Sequence, residues 1–336
     1  MGMKILLTGA NGFVGGRVSK FLLDRGHQVR QLRRQPPVDE LPAGVETVIG
    51  DLTNGQTLPA AVEGVEAVIH CAGLTGMWGD LSTYLETNTM GTVRLLETAR
   101  REKVKYFVYT STPSVVHSGL DLAGVDETAS YSLDSTQPYA YSKMLAERMV
   151  LWANGPDFKT LALRPHLIWG PGDPHLLPRL AQRAVRGRLF LFTKGPYLVD
   201  ATYIDNAAIA HVQALEKLAS GAPADGQAFF IAQGQPMDIN QLVNRLLAAV
   251  GAPMVPARIP KWLGLSLAGS IERFWRFFKL SSEPPVTIFT ARQMSSSHWY
   301  NLGKAQRILG YRPLVSLEDG LRRVAESRIG QKPQDW

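Results

Sequence analysis

Tyr139 and Lys143 stand four residues apart in Tyr139-Ala140-Tyr141-Ser142-Lys143, which puts them on one face of a helix. A phenol titrates near 10 when unperturbed. A neighbouring ammonium stabilises the phenolate and lowers that value, so the pair suits proton exchange at neutral pH. Tyr139 is then the proton donor or acceptor, and Tyr141 points elsewhere and reads as packing. A pair of this spacing is common by chance and needs context. Upstream, Tyr109-Thr110-Ser111-Thr112-Pro113-Ser114 ends a β-rich run. A hydroxyl there faces the crevice at the carboxyl ends of parallel strands. It can hold a carbonyl against Tyr139 and polarise it for hydride attack. Thr112 is the first choice and Ser111 the second; the alternative for both is satisfying a turn.

The context is at the start of the chain. Lys4-Ile5-Leu6-Leu7-Thr8 is an apolar β-type run that breaks into Gly9-Ala10-Asn11-Gly12-Phe13-Val14-Gly15 and then into a helical pattern. Gly9 lets the chain turn off the strand, Gly12 lets backbone approach a pyrophosphate, and Gly15 lets the helix pack on the sheet. Helix N-terminal N–H groups then face the phosphates. Gly9, Asn11, Gly12, Phe13, Val14 and Gly15 are the expected cradle of a dinucleotide. Lys143 would tune Tyr139 while binding the nicotinamide ribose.

The end of the second strand selects the dinucleotide. A carboxylate there binds a ribose 2′-hydroxyl, whereas arginine accommodates a 2′-phosphate. The chain holds Arg33 and Arg34, with no acid before Asp39. A guanidinium grips phosphate through two donors at once, so NADP(H) is favoured over NAD(H). The alternative is that both arginines merely solvate a strand end. Asp51, followed by Leu52, is placed to accept from the adenine amino group or to cap a helix. Ala72 and Ser111 complete the expected cofactor contacts.

These residues need a scaffold that brings strand ends together. Strands are predicted at Lys4–Thr8, Gln28–Leu32, Val45–Ile49, Glu66–Cys71, Lys105–Ser111 and Thr160–Arg164, alternating with helices that include Tyr84–Arg101 and Gln137–Asn154. That rhythm is α/β, a Rossmann-type doubly wound parallel sheet, over residues 1–170. Beyond 171 the elements shorten between Gly/Pro breaks, with helices expected at 175–187, 205–219, 238–250, 261–279, 303–309 and 316–328. Residues 171–336 read as a smaller, mainly helical substrate-binding lobe, with segments crossing between lobes.

Composition narrows the class. Hydrophobic content of 45% and charged content of 19% in 336 residues are those of a soluble globular protein. No uncharged apolar run approaches the roughly 18 residues of a membrane span, and no signal peptide is read at the start. Cys71 is the single cysteine, which excludes an intrachain disulfide and a cysteine-rich metal site. A cytoplasmic setting is expected. The seven histidines are scattered, and no metal is expected. The net charge of +7 comes without a dense basic tract, so it is assigned to an anionic cofactor and substrate rather than nucleic acid.

Thr8-Gly9-x-x-Gly12-x-x-Gly15, Asp51-Leu52, Asn88, Thr112 and the Tyr139/Lys143 pair together resemble the extended short-chain dehydrogenase/reductase superfamily, over nearly the whole chain. Leu163-Arg164-Pro165-His166-Leu167-Ile168-Trp169-Gly170-Pro171-Gly172-Asp173 resembles its motif after the sixth strand, where Pro165 would contact the nicotinamide carboxamide. Within the superfamily the chain is most similar to the 3β-hydroxysteroid dehydrogenase branch. The likeness extends to the 2-alkyl-3-oxoalkanoate reductases of bacterial olefin biosynthesis through Pro113-Ser114-Val115-Val116, Trp169-Gly170-Pro171-Gly172-Asp173-Pro174-His175 and Ser297-His298-Trp299-Tyr300. The resemblance implies an NADP(H)-dependent oxidoreductase acting on a hydrophobic ketone or secondary alcohol, with Asn88 shaping the active site and its proton path. Trp78, Thr112, His166, Trp169, Tyr203, Phe274 and Trp299 are the residues expected to border the substrate. A sterol or steroid 3β-dehydrogenase, a nucleotide-sugar epimerase and a cofactor-binding regulatory protein are the alternatives. Pro113-Ser114 replaces the Asp-Glu pair of the sugar-nucleotide dehydratases. A homodimer is expected.

Lys261–Leu280, KWLGLSLAGSIERFWRFFKL, is a separate feature. Ile271, Phe274, Trp275 and Phe278 recur at helical spacing, with Arg273, Arg276 and Lys279 mostly on another face. Three fates are open: a core helix, a lid over a greasy pocket, or a helix resting on a membrane surface.

Overall fold

In the computed structural model, residues 2–328 are described apart from 39, 77, 118, 120, 194, 257, 279 and 281, so Asp39 and Lys279 lie outside the described residues. The chain lays down β1 (Lys4–Thr8), β2 (Gln28–Arg33), β3 (Val45–Ile49), β4 (Ala67–His70) and β5 (Tyr106–Thr110), then β6 (Leu122–Val125) outside the sheet and β7 (Lys159–Pro165) back in it. Short strands β8 (Ile168–Trp169), β9 (Leu191–Phe192), β10 (Leu198–Val199) and β11 (Thr202–Tyr203) precede β12 (Gln227–Ile231). The last three are β13 (Met237–Asp238), β14 (Arg258–Ile259) and β15 (His298–Tyr300). The large sheet runs β12-β7-β5-β4-β1-β2-β3. All its pairings are parallel. The chain order reverses between β1 and β4, which opens the ligand crevice of such sheets at their carboxyl ends.

Helices cover both faces, so the middle of the central strand is apolar, with Ile5, Leu6 and Leu7 fully buried. The first half supplies α1 (Phe13–Leu23), α2 (Leu58–Val62), α3 (Leu81–Tyr84), α4 (Gly91–Arg101) and α5 (Pro138–Trp152). A π-helical turn, Leu85–Met90, joins α3 to α4, so Tyr84–Arg101 is not the uniform helix the sequence suggests. The second half supplies α6 (Leu176–Val185), α7 (Ile204–Ala219), α8 (Ile239–Ala249), α9 (Lys261–Phe277), α10 (Ile288–Gln293) and α11 (Leu317–Ser327). Helices α1 and α7 bury one face of the sheet in a core containing Val18, Leu22, Ile209 and Leu215. Helices α2, α4 and α5 bury the other with Leu58, Leu95 and Ala146.

One second-half strand belongs to the large sheet. Beyond residue 171 the sequence reading assigns no strand to Ala228-Phe229-Phe230-Ile231, yet β12 pairs with β7 from Gln227↔Leu161 to Ile231↔Pro165. The remaining short strands form a four-stranded sheet, β13-β10-β15-β6, and two two-stranded pairs beside α6, α8 and α11. Below the crevice, Arg164 of β7 is clamped to Glu147 of α5 at 2.5 Å, with both side chains inside the protein and the Tyr131 hydroxyl donating to Glu147 at 2.8 Å.

Candidate active site

The turn after β1 has the close packing its glycines predict. Gly9 sits at φ +71°, and a Cβ there would lie 2.7 Å from the Ala72 nitrogen. A Cβ on Gly15 would lie 2.1 Å from the Gly9 carbonyl oxygen. Gly12 is the N-cap of α1; no side chain caps that helix and no acid sits in its first turn. A glycine-lined helix start without a capping side chain fits an anionic phosphate group. Asn11 is exposed at the rim, while Phe13 and Val14 pack against the second lobe's core.

At the end of β2, Arg33 Nε donates to Gln31 Oε1 at 2.7 Å, which holds its guanidinium at the strand end. Arg34 is exposed beside it, and neither forms an ion pair among the described residues. Asp51 uses Oδ1 to accept from the Thr53 nitrogen and hydroxyl, each at 2.9 Å, closing a local turn. Leu52 is buried in the core under α4, where a Cβ on Gly91 would lie 3.0 Å from its own Cβ. Ala72 follows β4 and donates its N–H to Thr8 Oγ1 at 3.1 Å.

Tyr139 enters on the first turn of α5, set by Pro138 at the helix start. Burial pushes its phenol up to about 12, and a hydrogen bond with the Thr112 hydroxyl offsets part of that rise. The sequence argument has an ammonium lowering this value. In the structure burial raises it instead, and Lys143 is engaged elsewhere: its Nζ donates to the Thr110 carbonyl at 2.6 Å and lies 4.1 Å from the Tyr109 ring centroid. Burial pushes the Lys143 ammonium down to about 7. Thr112 is itself fixed, since its Oγ1 accepts from the Ser114 nitrogen at 3.2 Å and caps the short helix Pro113–Val116. Ser111 is buried with its hydroxyl unpartnered, while its N–H donates to the Leu163 carbonyl at 2.6 Å.

Asn88 lies in the π-helical turn, a distortion frequent at functional sites. Its side chain accepts from the Leu74 nitrogen at 2.7 Å and donates to the Leu74 carbonyl and Ser142 Oγ, each at 3.0 Å. Ser142 also donates to the Tyr139 carbonyl at 2.9 Å. One side chain thus ties the loop after β4 to the helix of Tyr139 and Lys143. A Cβ on Gly73 would stand 3.2 Å from Asn88 Oδ1 and 3.8 Å from Lys143 Nζ, so a larger residue there would press on the Asn88 side chain.

The residues expected at the substrate divide. Trp78 lines a cavity of about 260 Å³ with Leu81, Gln137, Pro138, Glu272 and Arg276, next to Tyr139 in sequence. Arg276 stacks on the Trp78 ring at 5.4 Å. His166 is buried edge-on to His298 and Tyr300, at 5.1 and 5.2 Å between ring centroids. Leu167 beside it is left-handed, at φ +45°, so the backbone after Pro165 is strained. Trp169 and Tyr203 do not line that cavity. They pack against each other at 5.4 Å within the second lobe's core, where long apolar side chains gain most from burial. Phe274 faces outward on α9, and Trp299 packs over Gly124 with its indole N–H unpartnered. The sequence reading misses Ser142, Thr92, His70, Gln137 and Glu272; of these only Ser142, inside the Tyr139–Lys143 motif, carried a local signal.

Residues 6–260 match the 3-beta hydroxysteroid dehydrogenase/isomerase family. The chain belongs to that family. It is an oxidoreductase of the extended short-chain dehydrogenase/reductase class. It is similar to the 2-alkyl-3-oxoalkanoate reductase of Stenotrophomonas maltophilia, with 45% identity covering 97% of this chain and 99% of the relative. It is also similar to the sterol-4-alpha-carboxylate 3-dehydrogenase (decarboxylating) of Mus musculus, with 32% identity covering 96% and 90%. Among solved structures, UDP-glucose 4-epimerase from Thermotoga maritima superposes with a TM-score of 0.75 at 23% identity, covering 97% and 98%, which is a likeness of fold. No group of three or more His, Cys, Asp or Glu among the described residues is arranged to hold a metal ion.

Proposed function

We propose that this enzyme of the 3β-hydroxysteroid dehydrogenase family reduces the 3-keto group of a 2-alkyl-3-oxoalkanoate with NADPH. The observation that carries the reading is the 45% identity to a named 2-alkyl-3-oxoalkanoate reductase along nearly all of both chains. The sterol relative supports the same chemical unit. Its name places a carboxylate on the carbon next to the one dehydrogenated, which is a β-hydroxy acid. Both relatives therefore act on oxygen one carbon removed from a carboxylated centre, on otherwise hydrophobic bodies.

The cradle of Gly9, Gly12 and Gly15 and the start of α1 would hold the pyrophosphate, and Arg33 with Arg34 would take a 2′-phosphate. When bound, the reduced nicotinamide supplies a hydride to the carbonyl carbon. Thr112 would hold the ketone oxygen at the phenol. Tyr139, protonated at neutral pH, would donate its proton to the oxygen as it gains charge. Lys143 would position the ribose side of the site from its anchor on the Thr110 carbonyl. NADPH consumption with a long-chain 2-alkyl-3-oxo acid, a 3-ketosteroid and a UDP-4-keto-sugar, each repeated with NADH, tests the reading. Turnover of the keto acid with NADPH is expected; preference for the steroid, the sugar or NADH overturns the corresponding part.

A further inference from the structure

Helix α9 is not a core helix. Only Gly264 and Ala268 are buried along it, while Trp262 is 71% and Phe277 80% exposed, with Leu267, Phe274 and Phe278 also outside. The aromatic rings cluster on themselves: Phe274 to Phe278 is 4.5 Å between centroids and Phe277 to Phe278 is 5.1 Å. A contiguous exposed patch of large apolar side chains marks an interaction surface. The patch continues off the helix. Strand β14 leads directly into α9 and pairs with β9. Phe190 just before β9 and Met254 before β14 are exposed as well.

Charge identifies what covers it. Segments 179–194 and 258–283, which carry the patch and its flanks, together hold ten Lys and Arg against two acids, Glu272 and Glu283, although the whole chain is only +7. Both acids are already used, Glu272 by Arg276 and Glu283 by Arg179. Arg186, Arg188, Arg258 and Arg273 are exposed around the aromatic patch and form no ion pair among the described residues. A second copy meeting this face about a two-fold axis would set the basic rim against itself. An aromatic face with a free basic rim and almost no acid is instead complementary to anionic headgroups over an apolar layer. The helix cannot cross that layer: no described helix is long and apolar enough to span a membrane.

We propose that this face seats the enzyme on an anionic lipid bilayer, with α9 lying in the headgroup region. The opposite edge of α9 supplies Glu272 and Arg276 to the 260 Å³ cavity that Gln137 and Pro138, at the start of α5, also line, so this cavity lies next to the docked helix. If the substrate is the long-chain keto acid proposed above, it reaches the site from the lipid phase. The docking itself does not rest on that reading.

Flotation of the full chain with vesicles of phosphatidylcholine, alone or mixed with phosphatidylglycerol, tests the docking without any substrate. The chain is expected to float with the mixed vesicles at low salt and to be released at high salt. Trp262→Asp and Phe277→Asp should each weaken partition by about tenfold or more. Arg258→Glu with Arg273→Glu, all in solvent, should do the same through charge and serves if the aromatic variants unfold. Melting temperature and turnover of a short soluble ketone should stay at wild-type values in all of them. A wild-type chain that ignores mixed vesicles, or a dimer that Phe277→Asp splits into monomers, overturns the proposal; loss of keto-acid turnover alone does not touch it.

Discussion

Thr8 Oγ1 and His70 Nδ1 stand 2.6 Å apart, inside the protein, where the first strand hands over to the glycine turn. The direction of this bond is fixed by its neighbours. Thr92 Oγ1 gives its hydrogen to the Asn88 carbonyl and so accepts from Nε2, and the neutral ring leaves Nδ1 to accept from the Thr8 hydroxyl. His70 then carries its proton on Nε2 and donates to Thr92 Oγ1 at 2.9 Å, and Thr92 donates to the Asn88 carbonyl at 2.6 Å. A directed chain of hydrogen bonds thus connects the cofactor turn to the π-helical turn that carries Asn88. His70→Phe keeps the ring and removes both nitrogens, leaving the Thr8 and Thr92 hydroxyls short of a partner. Each orphaned group should cost about 1–3 kcal/mol in urea unfolding. In the folded variant kcat should fall along with cofactor affinity, since both ends of the chain lose their tether.

Tyr139→Phe removes only the hydroxyl. Turnover should drop by about 10²–10⁴-fold, the usual contribution of a general acid. Cofactor affinity, read by fluorescence titration with NADPH, should hardly change. Wild-type turnover would remove Tyr139 from the chemistry.

Arg33→Ala with Arg34→Ala probes the 2′-phosphate. Charge-assisted hydrogen bonds contribute about 1.5–3 kcal/mol each. The ratio of NADPH to NADH affinity should therefore fall at least about tenfold. Equal losses for both would mean that the arginines serve the strand end alone.

Stability should fail in acid because the buried histidines resist protonation. Burial pushes His70 down to about 3 and His211 and His298 to about 4, and holds His166 well below 6.5. Below pH 6.5 the unfolded chain takes up protons that the native histidines refuse, so stability falls with pH through that window. Each group removes about 1.4 kcal/mol per pH unit. Asp200, pushed up by burial to about 6, works the other way. The net loss should be roughly 2–4 kcal/mol per unit near pH 5, visible as a steep fall in melting temperature. His211→Gln, which removes one of these buried rings, should flatten it.

What was legible in the sequence was local. The glycine turn, the Tyr139/Lys143 spacing and the hydroxyl at Thr112 are each encoded within a dozen residues, and the structure brings Thr112 and Tyr139 into hydrogen-bonding contact. What was not legible depends on distant partners. The π-helical turn at Asn88 has no composition signal; its side chain is held by Leu74 and Ser142. Trp169 looked like pocket lining because an aromatic beside a loop motif serves either purpose. Its fate was decided by Tyr203 and by Gly320, where a Cβ would lie 2.8 Å from the Trp169 ring. Conversely, Lys143 appears in the sequence only as a positive charge, and nothing there shows that the Thr110 carbonyl claims it.

The seventh strand has a consequence for how this protein is made. β12 is laid against β7 only after the chain has travelled through β8 to β11 and α7. During synthesis the cofactor half therefore waits, with the β7 edge unpaired, until residue 231 has emerged. A fragment ending near residue 170 should expose that edge and self-associate. A cut near residue 170 would part β6 from β15 as well as β7 from β12, so neither piece keeps its sheet whole.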